Sequence, residues 1–125
     1  FDVRAAQGVD SPARSLSGGN QQKTIIGREL SLGPRVLVAV QPTRGLDVGS
    51  VEYIHRQLVE MRHAGRAVLL VSLELEEILK LADRIAVLCQ GRLVGVAQVA
   101  DTTESEVGLW MTGAKQKDTH EAIVT

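Results

Sequence analysis

Apolar positions recur along this chain at two spacings. Val36 to Val40 is an unbroken apolar run, which predicts a strand covered on both faces, and Ala67 to Val71 predicts a second strand. Between them Val51, Ile54, Leu58 and Met61 fall three and four apart, the spacing of one buried helical face. They predict a helix over 48–64, with Asp47 as its N-cap and Gly65 as its stop. Ile25, Ile26 and Leu30 mark the apolar stripe of an earlier helix over 24–30, ended by Gly33-Pro34. Leu75, Ile78 and Leu79 predict a third helix over 74–81. Ile85 to Leu88, the turn Gln90-Gly91 and Leu93 to Val99 read as a hairpin. A short helix over 104–111 has Val107, Leu109 and Trp110 to bury. Residues 1–15 are polar, with Asp10-Ser11-Pro12 as a turn signal, and residues 114–125 read as a flexible tail. Strands alternating with helices imply parallel, right-handed βαβ units and an α/β fold.

The run Leu16-Ser17-Gly18-Gly19-Asn20-Gln21-Gln22-Lys23 places a hydroxyl and two glycines at the mouth of the first helix. The first N–H groups of a helix have no partner within it, and the macrodipole adds partial positive charge there. Glycines let a phosphate approach the backbone, and a serine can cap the helix while its hydroxyl faces outward. Read alone, the run is equally an ordinary helix start. The segment from Arg35 to Ser50 changes the picture: an apolar strand, the turn Gln41-Pro42-Thr43-Arg44-Gly45-Leu46, then a capped helix at Asp47.

Together the two stretches resemble the C-terminal half of an ATP-binding cassette (ABC) ATPase. The first looks like the signature motif in the form LSGGNQQK, and the second like the Walker B strand running into the D-loop. The wording NQQK with PTRGLDVGS is similar to the simple-sugar and nucleoside importer branch, specifically to the C-terminal part of a second, degenerate nucleotide-binding domain. The resemblance covers Phe1 to about Gly113. It implies a partial P-loop NTPase fold of ABC type over 1–113. No P-loop of the form GxxxxGK[ST] occurs in the sequence, nor a glutamine loop. Both would lie upstream of Phe1, so the chain reads as a fragment, not active alone and with apolar surface that lowers its solubility.

The resemblance also marks three departures. The Walker B strand of the family ends in Asp-Glu, for magnesium and for the attacking water, and those positions hold Val40 and Gln41 here. Valine offers no oxygen to a metal; glutamine can orient water but not accept its proton. Asp47 follows Gly45-Leu46 instead of ending the apolar run, so it fits the D-loop. The switch histidine of many relatives falls at Leu73. The signature is intact, and in ABC dimers it faces the ATP held by the other cassette. Ser17, Gly18, Gly19, Asn20 and Gln21 are therefore the expected contacts to a partner's ATP, with Asp47 crossing the interface in the D-loop or serving as a plain N-cap. ATP and Mg2+ would be held mainly by the partner. The implied partners are a first cassette on the same or another chain, transmembrane permease subunits and an extracytoplasmic substrate-binding protein. The implied location is the cytoplasmic face of the membrane. A non-catalytic scaffold that docks the permease is the alternative, and a cassette protein of translation or DNA repair a further one.

Composition adds constraints. The 125 residues suit one small domain, and the net charge of −1 with scattered Lys and Arg gives no footprint for nucleic acid. No apolar stretch approaches the ~20 residues of a membrane span. The single cysteine, Cys89, lies in an apolar run and reads as a buried thiol. His55 and His63 read as surface histidines of the second helix, with no ligand cluster around them. Glu74, Glu76 and Glu77 suit the start of the third helix electrostatically, Asp83-Arg84 reads as structural, and Lys23 and Arg28 as a solvated helix face.

Overall fold

The computed structural model describes residues 3–114. The chain divides into two compact units, Phe1–Val71 and Ser72–Thr125. Of the tail expected over 114–125, residues 115–125 lie outside the described residues.

The first unit opens with two 3-10 turns, Gly8–Asp10 and Ala13–Ser15, which replace the simple loop expected there. Helix α1 follows over Gly18–Ser31, then strand β1 over Val36–Val40, helix α2 over Val48–His63 and strand β2 over Ala67–Val71. β1 and β2 pair in parallel, Val36 opposite Ala67 through Val40 opposite Val71, with α2 as the crossover. This is one βαβ unit, as the alternation of patterns predicts. Ile54, Leu58 and Met61 are buried on the inner face of α2. Gly33 and Gly65, both at positive φ, end α1 and α2 where the sequence places the stops.

Two expectations for this unit need correction. α1 starts at Gly18, six residues before Thr24, because Ser17 caps it and Gly18 to Lys23 adopt helical backbone despite lacking an apolar stripe. Within α1, Ile26 is buried but Ile25 is 47% exposed. β1 is not covered on both faces. Val36, Val38 and Val40, with Leu69 and Val71 beside them in register, leave one face of the two-stranded sheet exposed among the described residues. Only Ala39 of β1 is buried.

The second unit holds helix α3 over Leu75–Leu81, strands β3 over Arg84–Cys89 and β4 over Arg92–Gln98, and helix α4 over Glu104–Met111. β3 and β4 pair antiparallel through Gln90-Gly91, whose φ values of 50° and 73° suit a two-residue hairpin turn. The register slips after Val87, where Val87 faces Gly95 but Leu88 faces Leu93. Trp110 and Val107 are fully buried against Ile85, Val87, Val94 and Ala97. Gly95 lies under the Trp110 ring: a Cβ there would sit 2.6 Å from Cε3. Leu109, expected to be buried, is 46% exposed, because α4 turns Val107 and Trp110 inward. Glu77, at the start of α3, is buried, and Cys89 is half-buried, not fully enclosed.

Candidate phosphate site at the mouth of helix α1

Ser17 stands in extended backbone at φ −60°, ψ 157°, and its Oγ accepts from the Asn20 N–H at 3.3 Å. The Gln21 N–H donates to the Ser17 carbonyl at 2.9 Å. Those two bonds use the third and fourth N–H groups of the helix and leave the N–H groups of Gly18 and Gly19 for an acceptor outside it. The Ser17 hydroxyl uses a lone pair in capping, so its O–H remains able to donate. Three donors thus converge at one helix mouth, where the macrodipole favours an anion.

The second helix mouth abuts the first. Asp47 caps α2: its Oδ1 accepts the Ser50 N–H at 3.0 Å and its Oδ2 accepts the Ser50 hydroxyl at 2.8 Å. The Ser50 hydroxyl, and then the Ser50 N–H, hold the Asp47 carboxyl below the usual aspartate value. Gly19 packs on this cap. A Cβ at Gly19 would collide with Ser50 Oγ and stand 3.1 Å from Asp47 Oδ2. Gly18 differs, since a Cβ there would meet only Leu46 Cδ2, at an ordinary 3.9 Å. Gly19 is therefore demanded by packing within the chain. Among the described residues, no packing demands Gly18.

Asn20 and Gln21 turn elsewhere. Asn20 Oδ1 accepts the Arg4 N–H at 3.2 Å, and its Nδ2 donates to the Arg4 carbonyl at 2.8 Å. Gln21 Nε2 donates to the Leu16 carbonyl at 2.8 Å. The sequence grouped both with the nucleotide contacts and gave no sign of these backbone partners. Lys23 Nζ lies 5.2 Å from the centre of the Tyr53 ring, joining α1 to α2 by a cation–π contact, and Arg28 pairs with Glu29 on the exposed side.

The segment that resembles Walker B carries no carboxylate at its strand end. β1 ends at Val40, and Gln41 adopts a left-handed φ of 50° while its N–H extends the ladder to the Val71 carbonyl at 2.8 Å. Pro42 behind it is buried. Val40 is exposed and Gln41 half-buried, and neither side chain carries a carboxylate. Leu73, the switch position, is 74% exposed in the second unit. His55 is half-buried, in contrast to its expected surface position, and His63 is exposed. Among the described residues, no helix is long and apolar enough to cross a membrane.

No family model matches the chain. It is 54% identical over 122 residues to the guanosine import ATP-binding protein NupO of Bacillus subtilis, a match covering 98% of this chain and 24% of that protein. It is 46% identical over 114 residues to the glucose import ATP-binding protein TsgD13 of Haloferax volcanii, covering 90% of this chain and 21% of that one. The chain thus spans about a quarter of the length of these curated relatives. Among solved structures, it resembles the dimeric ATP-binding cassette MJ0796 in a post-hydrolysis state bound to ADP and Pi. The TM-score is 0.68 at 27% identity, over 76% of this chain and 41% of that one.

Proposed function

We propose that this chain, whose sequence and partial α/β fold are those of ABC ATPases of the nucleoside and sugar import type, is part of the ATP-binding subunit of such an importer. In this reading the mouth of α1 completes an ATP site carried by a partner cassette. One observation carries it: Gly18 has no packing reason to be glycine, at the point where the Ser17 hydroxyl and two backbone N–H groups converge. That combination suits close approach by the terminal phosphate of a nucleotide. A hydrogen bond to a charged group contributes ~1.5–3 kcal/mol net, so three such donors could decide whether two cassettes close around ATP.

The chain's own residues would bind and orient the phosphate and would not activate water. ATP supplies the phosphoanhydride whose cleavage drives the transport cycle. Gln41 can hold a water by its amide but cannot take its proton, and loss of a general base removes ~10²- to 10⁴-fold in rate. Val40 offers Mg2+ no ligand, so metal and base would come from the partner. Identity of 54% to the guanosine importer component against 46% to the glucose one favours a nucleoside as the transported solute. The permease and binding-protein partners, and a peripheral place on the cytoplasmic face of the membrane, follow from the same reading.

Ser17→Arg in the full-length protein fills the mouth with a bulky cation-bearing side chain and removes the cap. ATP-driven uptake in vesicles is expected to be abolished. Near-normal uptake would remove the trans-site role and leave the scaffold reading, which the carboxylate-free end of β1 favours. A scaffold would pair with the other cassette equally with and without ATP.

A further inference from the structure

Residues 8–15 form two short turns with no buried residue, and Val9 is wholly exposed. Among the described residues of this segment, no buried apolar side chain holds it down. Its internal bonds are local: Gln7 N–H to Ser11 Oγ, Ser11 N–H to the Gly8 carbonyl, Ser15 N–H to the Pro12 carbonyl and Leu16 N–H to the Ala13 carbonyl. Its two ends are gripped by adjacent side chains of α1. The Asn20 amide pairs with both the N–H and the carbonyl of Arg4, as a neighbouring strand would, and the Gln21 amide takes the Leu16 carbonyl.

We propose that Asn20 and Gln21 are positioning residues that latch residues 4–16 into a closed loop beside the mouth of α1, leaving Ser17, Gly18 and Gly19 to address the nucleotide. A planar amide carries an acceptor and a donor on one rigid group, so it can hold both polar atoms of a single backbone residue. Surface loops of this size with their ends held together behave as compact units. The latch fixes the angle at which the chain enters Ser17, whose hydroxyl both caps and donates. Without it, the mouth must be ordered when the phosphate arrives. That cost falls on nucleotide affinity and much less on the chemical step.

The inference rests on the ATP reading above, and the test separates the two. In the full-length protein without nucleotide, hydrogen exchange at residues 4–16 is compared between the parent and Asn20→Ala. Exchange at the Arg4 amide is expected to rise about tenfold, as loss of a pair of net-stabilising hydrogen bonds implies. Asn20→Asp keeps the acceptor for the Arg4 N–H and loses the donor, and falls between the two. In steady-state hydrolysis, Asn20→Ala raises KM for ATP by about tenfold while kcat falls less than twofold, on the same bond arithmetic. Unchanged exchange overturns the latch. Raised exchange with an unchanged KM, or a fall in kcat as large as the rise in KM, overturns the positioning role. If Ser17→Arg also leaves ATP handling intact, the ATP reading has failed, while the exchange result still decides whether the latch exists.

Discussion

Gly18 and Gly19 are adjacent, share one helical turn, and should respond oppositely to the same added methyl. At Gly19 the new Cβ meets Ser50 Oγ at a distance real structures do not tolerate, with Asp47 Oδ2 and Ser50 Cβ each 3.1 Å away. Ser50 is 5% exposed and has little room to yield, so the bond between its hydroxyl and Asp47 must break or α1 must shift from α2. Overpacking of this kind costs about 1–3 kcal/mol. The better helix propensity of alanine returns at most about 1 kcal/mol. Gly19→Ala should therefore destabilise the protein, visible as a lowered melting temperature. Gly18→Ala meets only Leu46 Cδ2 at 3.9 Å and carries no positive φ, so its stability should match or slightly exceed the parent. The functional outcome differs as well. A methyl at Gly18 stands where a phosphate would approach the backbone. Gly18→Ala should weaken ATP-dependent cassette association at least tenfold, the equivalent of about 1.4 kcal/mol. The assay pairs thermal unfolding with sedimentation of the ATP-bound full-length protein. A Gly18→Ala protein that is stable and still closes on ATP like the parent would refute the claim that this glycine exists for ligand access. A Gly19→Ala protein as stable as the parent would refute the packing account.

Two further outcomes follow from the same geometry. The Asp47 carboxyl is held below its ordinary value by Ser50, so the stabilisation it gives is present above the unfolded aspartate pKa and is lost as pH falls through the lower folded value. Melting temperatures of the parent and Asp47→Asn, measured from pH 7 down to about pH 2, should converge at the acid end, and a gap that stays constant with pH would contradict the Ser50 contact. In the second unit, Gly95→Ala forces a Cβ into the Trp110 ring and should cost about 1–3 kcal/mol, while Trp110→Ala empties a fully buried site and should cost about 3–5 kcal/mol. Denaturant unfolding of both variants checks the order, and a Gly95→Ala loss larger than that of Trp110→Ala would mean the ring is not the neighbour that matters.

The elements with strong periodicity were legible. The apolar positions of α2 repeat at helical spacing between a capping aspartate and a stopping glycine, and its observed bounds of Val48–His63 differ from the expectation by one residue. β2 coincides with its apolar run, and the hairpin turn declares itself in Gln90-Gly91. α1 was misjudged at its start because Gly18 to Gln22 are held in the helix by a cap and polar contacts, which leave no hydrophobic trace. The exposed face of β1 was misjudged for a different reason. An apolar run reports that both faces resist water, but not which neighbours are there to cover them. At the site, residue types pointed to Ser17 as the cap of a helix that opens with Gly18 and Gly19, and the structure places it there. They could not reveal that Asn20 and Gln21 face backward, since an amide that grips Arg4 and one that grips a nucleotide are the same letter in sequence. Nor could they separate the two glycines, because only the position of Ser50 makes one of them obligatory.

The end of β1 combines two side chains without a carboxylate, Val40 and Gln41, with a tightly held backbone. Gln41 adopts a left-handed backbone that non-glycine residues rarely enter, which persists only where the surroundings hold it. Its N–H is fixed to the Val71 carbonyl, and the proline behind it is buried. The backbone at this turn is thus built to a specific shape even though the two side chains it presents carry no carboxylate. This backbone begins the short turn from β1 to Asp47, and Asp47 with Ser50 forms the surface against which Gly19 sits. The strand end therefore serves the mouth of α1 by positioning the second helix beneath it. On this argument, restoring a carboxylate through Gln41→Glu alone would add a base without a metal ligand at Val40. The donors at Ser17, Gly18 and Gly19 would remain the part of this unit on which nucleotide handling depends.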